Sequence, residues 1–317
     1  MTASTTRRSV LQGLAATAAT LPFAAEAAAL PFAFLAIGDW GRDGASHQRD
    51  VAAQMGRQAH AAGSKFVVSV GDNFYPTGVR SATDTQWLSS FEHVYTDAAL
   101  QTPWYALLGN HDYKGVPQAQ LDYAKTAKRW RMPARYYTTS TLLPDGQRLD
   151  SFMLDTSPLV KRYRDGTEDA EVHAQVVGQN PAAQLRWFEA ALKASRAPWK
   201  IVFGHHPVYS GGLHGNTPDM VANIAPLLER YGVHAYVHGH DHDLQHIVRG
   251  RVNYICTGAG SETRPVRRVA GTQFCSDRSG FTAYRIAGDR LAIDFIDYTG
   301  VRLHTAVVPR LGAAKAA

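Results

Sequence analysis

Two cysteines in 317 residues, Cys256 and Cys275, are too few for a thiolate metal cluster or a disulfide-held scaffold. Neither lies in a Cys-x-x-Cys pair, so any metal must be held by oxygen or imidazole. The two could form one bridge, contributing about 3 kcal/mol if unstrained, or remain free thiols, and the sequence leaves both readings open. No Asn-x-Ser/Thr glycosylation acceptor occurs, and there is no linker, repeat or low-complexity tract. After the first thirty residues no apolar run approaches the roughly 20 residues a membrane span requires. Charged residues make up only 19% of the chain against 45% hydrophobic, the balance of a folded protein with one sizeable core. The formal charge of +6 is dispersed rather than clustered, which suits small anionic substrates and gives no footprint for nucleic acid.

The amino terminus reads as an address rather than as fold. Arg7 and Arg8 precede an Ala/Leu-rich run from Gly13 to Ala25, and Ala25-Glu26-Ala27 suits an A-x-A processing site. The pattern resembles a twin-arginine (Tat) export signal. It implies removal of residues 1–29, a mature single domain over 30–317 and a periplasmic or secreted protein. That protein would meet the Tat export machinery only in transit and have no stable membrane association.

Beyond that signal, short apolar runs alternate with helix-like stretches. Phe32–Ile37, Lys65–Val70, Trp104–Leu108, Lys200–Phe203 and His234–Val237 read as buried strands. Ser46 is the expected cap of a helix running through Val51 and Met55 to a stop at Gly63. Asn180-Pro181 opens a second helix, and Thr217-Pro218 a third that kinks at Pro226 and ends near Gly232. Such alternation predicts a layered α/β domain, whose ligands gather beyond the carboxyl ends of the strands.

Each predicted strand runs into a polar cluster. In order these are Gly38-Asp39-Trp40-Gly41, Gly71-Asp72-Asn73-Phe74-Tyr75, Gly109-Asn110-His111-Asp112, Gly204-His205 and Gly239-His240-Asp241-His242. Singly, each Gly-Asp or Gly-Asn is an ordinary turn. Together they place carboxylate and imidazole ligands in one neighbourhood, a donor set suited to Fe, Mn, Zn or similar cations. His240 and His242 are two apart, so in extended backbone they face the same side.

In these blocks the chain resembles the calcineurin-like metallophosphoesterases, and within them the small, animal-type purple acid phosphatases. Met153-Leu154-Asp155-Thr156, Leu185-Arg186-Trp187 and His242-Asp243-Leu244-Gln245 extend the likeness over nearly all the chain after the signal. The resemblance implies a four-layer αββα metallophosphoesterase sandwich, two mixed β-sheets flanked by helices. It assigns Asp39, Tyr75 and His242 to a first metal, Fe(III). Asn110, His205 and His240 go to a second, which would be Fe(II), Zn or Mn, and Asp72 bridges the two. Tyr75 is the discriminating residue, because phenolate suits a hard, highly charged ferric ion and gives the family its colour.

The implied activity is an acid phosphatase that splits small phosphate monoesters by in-line attack of a metal-bound hydroxide, releasing inorganic phosphate. His111 and His214 match the family's substrate-side histidines, and His214 is the expected donor to the leaving group. His206 stands where the small members usually have tyrosine. It reads as a third substrate contact or a packed ring, with the first preferred. Asp112 would orient His111 or face water. Lys161–Glu171 reads first as a solvated loop and second as a regulatory lid. The competing functions are a phosphodiesterase or nucleotidase on the same scaffold and, in another class, a non-catalytic metal- or phosphate-binding protein.

Overall fold

The computed structural model describes Met1 and residues 31–311, so the expected export signal lies outside the described residues. The described residues form fourteen strands: β1 (Phe32–Ile37), β2 (Val67–Ser69), β3 (Trp104–Ala106), β4 (Trp130–Arg131), β5 (Tyr137–Leu142), β6 (Arg148–Met153), β7 (Trp199–Phe203), β8 (Ala235–His238), β9 (Leu244–Arg249), β10 (Val252–Thr257), β11 (Thr272–Ser276), β12 (Gly280–Ala287), β13 (Arg290–Asp297) and β14 (Arg302–Pro309). They pair into two seven-stranded sheets, ordered β14-β13-β12-β1-β2-β3-β4 and β11-β9-β10-β8-β7-β6-β5. Strands β1 to β4 run parallel in the first sheet, as do β6, β7, β8 and β10 in the second, and the remaining pairings are antiparallel.

The helices are α1 (Gln48–Ala62), α2 (Asn110–Tyr113), α3 (Pro117–Ala124), α4 (Lys161–Arg164), α5 (Ala170–Val176), α6 (Pro181–Ala194), α7 (Pro218–Asn223) and α8 (Ala225–Arg230). Three cores show how the layers stack. Phe34 and Val68 of the first sheet, with Leu107 just after β3, meet Ile201, Phe203 and Val237 of the second in the central core. Leu35, Ile37 and Val67 turn the other way, onto Val51 and Met55 of α1 and a group of aromatics around Trp40 and Trp104. On the far side, Val202 and Tyr236 face Phe188 and Leu192 of α6 and Leu228 of α8. Burial on both faces is why β1 reads FAFLAI without polar alternation. The result is the expected helix–sheet–sheet–helix sandwich.

Local chemistry agrees with the sequence in part. The Asn180 side chain caps α6 by accepting from the Ala183 N–H, and Gly63 ends α1 in the left-handed region at φ 63°. Ser46 is not the cap of α1. The preceding residue is His47, in a left-handed turn, and the Gln48 side chain organises the loop by accepting from the Arg42 and Gly44 backbone. The third predicted helix is two, α7 and α8, broken at Ile224 two residues before Pro226.

Both cysteines are free thiols. Cys256 on β10 and Cys275 on β11 are each in register with Gln245 on β9, which lies between them. Two strand spacings of about 4.8 Å separate them, beyond the roughly 7 Å limit for a disulfide.

Candidate metal centre

The five parallel strands that carry the polar clusters end on one edge of the sandwich. Asp39 follows β1, Asp72 follows β2, Asn110 opens α2 after β3, His205 follows β7 and His240 follows β8. Asp39, Asp72 and His240 take positive φ of 60°, 48° and 70°, a costly conformation for residues with a Cβ. Glycines make the convergence possible: a side chain on Gly239 would overlap Asp39 Oδ2.

The seven expected ligands come together in two groups. Tyr75 Oη lies 3.1 Å from Asp39 Oδ1, 2.8 Å from Asp72 Oδ2 and 3.0 Å from His242 Nε2. Asn110 Oδ1 lies 3.1 Å from His205 Nε2 and 2.9 Å from His240 Nδ1. Asp72 belongs to both groups, with Oδ2 toward Tyr75 and Oδ1 3.4 Å from His205 Nε2. An oxygen each of Asp39 and Asp72 and a ring nitrogen of His205 fall within 4.8 Å of one another. Asp39, Asp72, Tyr75, Asn110, His205, His240 and His242 are all buried.

This donor set fits cations on electronic grounds. His205 Nδ1 is 3.0 Å from the Val70 carbonyl, which can only accept, so the ring proton sits on Nδ1. Burial, against the opposing charge of Asp72, holds His205 below its ordinary pKa and so favours a bare lone pair on Nε2. It faces the Asn110 amide oxygen, another acceptor, across 3.1 Å. Asp39 is pushed well above the usual carboxylate range by burial and then by the charge of Asp72. Burial and both carboxylates likewise raise the Tyr75 phenol. An imidazole nitrogen facing an amide oxygen, beside a carboxyl and a phenol whose charged forms burial disfavours, calls for positive charge at the site.

Around the centre lies a cleft enclosing about 200 Å³, lined by Asp72, Asn110, His111, Lys114, Tyr163, Glu168, Asp169, His214, His240, His242 and Arg264. Two of the three expected substrate-side histidines, His111 and His214, line it. His111 Nδ1 donates to the Pro76 carbonyl at 2.6 Å, and its backbone N–H donates to Asp72 Oδ1 at 2.8 Å. His214 is held through its backbone N–H, 2.8 Å from Asp241 Oδ1, and its ring packs 4.1 Å from that of His240. Its Nε2 meets Arg264 Nη1 at 3.3 Å and so acts as an acceptor. Burial, with Arg264 acting against the opposing charge of Asp241, keeps the ring below its ordinary pKa.

His206 departs from the preferred expectation. It is 2% exposed, with Nδ1 2.8 Å from Thr156 Oγ1 and Nε2 3.4 Å from Tyr163 Oη, and it packs behind His205 and His240. It is the packed ring, because both nitrogens and the ring faces are occupied by protein. Asp112 fits neither of its two readings. It is buried, accepts from the Asn73 and Gly109 backbone and from Gln120, and so ties the second and third clusters together. Burial, then the charge of Asp72, pushes its carboxyl up to about 8.

Residues 161–171 are more than a solvated loop. They include α4 and the Asp169 cap of α5, and Tyr163, Glu168 and Asp169 form part of the cleft wall. Asp169 is tied to Lys114 at 2.9 Å and Glu168 to Arg162 at 3.1 Å. Lys114 and Arg264 are cleft residues that sequence reasoning missed. A signal for the second existed: β10 is one more apolar strand followed by a glycine cluster, Gly258-Ala259-Gly260.

Comparison with known proteins follows the same lines. Residues 32–244 match the family profile described as Calcineurin-like phosphoesterase. The chain is 36% identical over 284 residues to Purple acid phosphatase 4 of Arabidopsis thaliana, covering 86% of this chain and 81% of the plant protein. It is 33% identical over 310 residues to Tartrate-resistant acid phosphatase type 5 of Homo sapiens, covering 92% and 94%. Among solved structures, GAP50, the anchor in the inner membrane complex of Plasmodium, superposes with a TM-score of 0.78 at 22% identity over 89% of each chain. A purple acid phosphatase from yellow lupin seeds gives 0.64 at 16% identity, over 88% of this chain and 54% of that one. The structural likenesses speak to fold alone.

Proposed function

This chain belongs to the calcineurin-like phosphoesterase family, in its purple acid phosphatase branch, and from that premise we propose that it hydrolyses small phosphate monoesters outside the cytoplasm. The observation that carries the reading is Asp72, whose two oxygens reach separate ligand groups, one around Tyr75 Oη and one around Asn110 Oδ1. Asp39, Tyr75 and His242 would hold one cation and Asn110, His205 and His240 the other, with Asp72 shared. The donor chemistry favours Fe(III) beside the phenol and Fe(II), Zn or Mn beside the amide. Bound there, the cations would supply charge to neutralise phosphate oxygens and to lower the pKa of a water nucleophile.

The protein's own groups handle the leaving oxygen. His111 has its Nδ1 proton committed to the Pro76 carbonyl, which leaves Nε2 as the position that gives up or takes a proton. His214 Nε2 already accepts from Arg264, whose charge opposes a second ring proton. The donor role expected for His214 therefore passes to His111 Nε2, and His214 becomes a neutral wall of the site. A positioned proton donor of this kind contributes ~10²–10⁴ in rate. A cleft of about 200 Å³ is smaller than sites that enclose a whole ligand, so it takes the phosphoryl end and lets the leaving group project.

Export is inferred from Arg7, Arg8 and the Ala-rich run after them, with residues 30–317 as one catalytic domain. Among the described residues, no helix is long and apolar enough to cross a membrane. The test is metal analysis of the processed protein, with p-nitrophenyl phosphate compared against its bis(p-nitrophenyl) diester. Two metals per chain, monoester preference and loss of both metals and activity in Asp72→Ala are expected. A large diester preference, or a mutant that keeps both metals, would overturn the reading. Sequencing the amino terminus of protein recovered outside the cells checks the export step.

A further inference from the structure

Of the two lysine or arginine side chains on the cleft, one is neutralised and one is not. Lys114 is paired with Asp169 at 2.9 Å, and the neighbouring Glu168 with Arg162 at 3.1 Å. Among the described residues, Arg264 has no carboxylate partner; its side-chain contact is the neutral imidazole of His214 at 3.3 Å. A guanidinium carries five N–H donors, so one bond to His214 leaves most of its fork unused.

The root of that side chain is fixed to the centre. The Arg264 backbone N–H donates to the carbonyl of His242 at 2.9 Å, and the Gly260 N–H to that of Gly38 at 3.1 Å. Ser261 Oγ donates to the Asp39 carbonyl at 2.6 Å, and Ser279 Oγ to the Ser261 carbonyl at 2.7 Å. The loop after β10 is thus clamped to the strand ends that carry Asp39 and His242. In contact order, Arg264 stands one imidazole beyond His240, with His214 between them. A phosphoryl group at the ligands would place the first atoms of its leaving group in reach of this cation.

We infer that Arg264 is a specificity determinant that recognises an anionic group, carboxylate or phosphate, on the leaving-group side of the ester. The inference rests on the phosphomonoesterase reading for its substrate class. It makes a second negative charge, rather than size or apolarity, the feature that separates preferred esters from the rest. A neutral leaving group gains nothing from Arg264, whereas an anionic one gains a charge-assisted pair.

Binding and turnover test it separately. For metal-loaded protein, calorimetry compares 4-carboxybenzylphosphonate with its methyl ester, which cannot be hydrolysed at the carbon–phosphorus bond. The carboxylate should bind about tenfold tighter than the ester. Arg264→Gln retains an N–H donor for His214 but removes the charge, and should bring the two affinities within about twofold, with the larger loss on the carboxylate. Arg264→Lys should restore part of the preference, and a phosphono group in place of the carboxylate should behave like it. An unchanged ratio in Arg264→Gln, an equal loss for both ligands, or binding of neither overturns the role. Hydrolysis of the corresponding phenyl phosphates keeps the two claims apart. An Arg264-dependent binding preference with turnover of neither ester refutes the phosphatase reading alone, and turnover of both with an Arg264-independent ratio refutes the specificity role alone.

Discussion

The main chain of Gly109 lies against Asp72 so closely that a methyl group on residue 109 would overlap both Asp72 Oδ1 and the Asp72 backbone nitrogen. Gly109 has φ −101° and ψ −179°, a conformation open to any residue, so the glycine is required for space and not for backbone freedom. It stands immediately before Asn110, and its N–H donates to Asp112 Oδ2 at 2.8 Å. A side chain at this position would therefore press directly on the residue whose oxygens reach both groups.

Gly109→Ala should therefore shift Asp72 away from one group while the sandwich stays folded. Overpacking of this kind costs about 1–3 kcal/mol, which a domain of this size withstands. Metal content after dialysis should fall below two per chain and activity should drop at least tenfold, with the far-ultraviolet dichroism unchanged. A variant with full metal content and normal turnover would show that Asp72 does not need this spacing.

Tyr75→Phe removes a single oxygen from the first ligand group. The ring contacts survive, since the Arg42 guanidinium lies 3.9 Å over the ring and the His111 ring is 4.5 Å away. In protein loaded with ferric iron, the visible band from phenolate-to-iron charge transfer should disappear, and iron should be lost faster to a chelator. A spectrum equal to that of the parent protein would take Tyr75 out of the ligand set.

The candidate site was legible because the proposed ligands follow parallel strands buried on both faces. Such strands carry near-continuous apolar runs, and β1 was bounded correctly as Phe32–Ile37. The likeness to a known family then supplied pairings that no single cluster contained. Features set by contacts between distant segments could not be read. Asp112 neither orients His111 nor faces water, because the Asn73 backbone and the Gln120 side chain, distant in sequence or on another element, close around it. His206 lost its access to substrate because Thr156 and Tyr163 cover it. The wall formed by residues 161–171 depends on Asp169 reaching Lys114, some fifty positions earlier in the chain. Arg264 depends in turn on a loop pinned by Ser261 to the carbonyl of Asp39.

Asp155, in the Met153-Leu154-Asp155-Thr156 run, gives a stability prediction with a definite sign. It is fully buried; Oδ2 accepts from Tyr113 Oη at 2.5 Å, and Oδ1 has no hydrogen-bond partner. Burial pushes its carboxyl up to about 7, from an ordinary value of 3.8. Between those two values the folded protein holds a proton that the unfolded chain has released. By linkage, this residue's contribution to stability falls as pH rises from about 4 to about 7 and is constant outside that window. Asp155→Asn keeps an oxygen for Tyr113 and removes the ionisation. Urea denaturation of both proteins without metal, at pH 4.5 and pH 8, should show the variant gaining on the parent by up to roughly 3 kcal/mol as pH rises. A difference between the two proteins that does not change with pH, or that shifts in the parent's favour at pH 8, would mean that Asp155 is already ionised in the fold and draws its compensation from Tyr113 and Arg135.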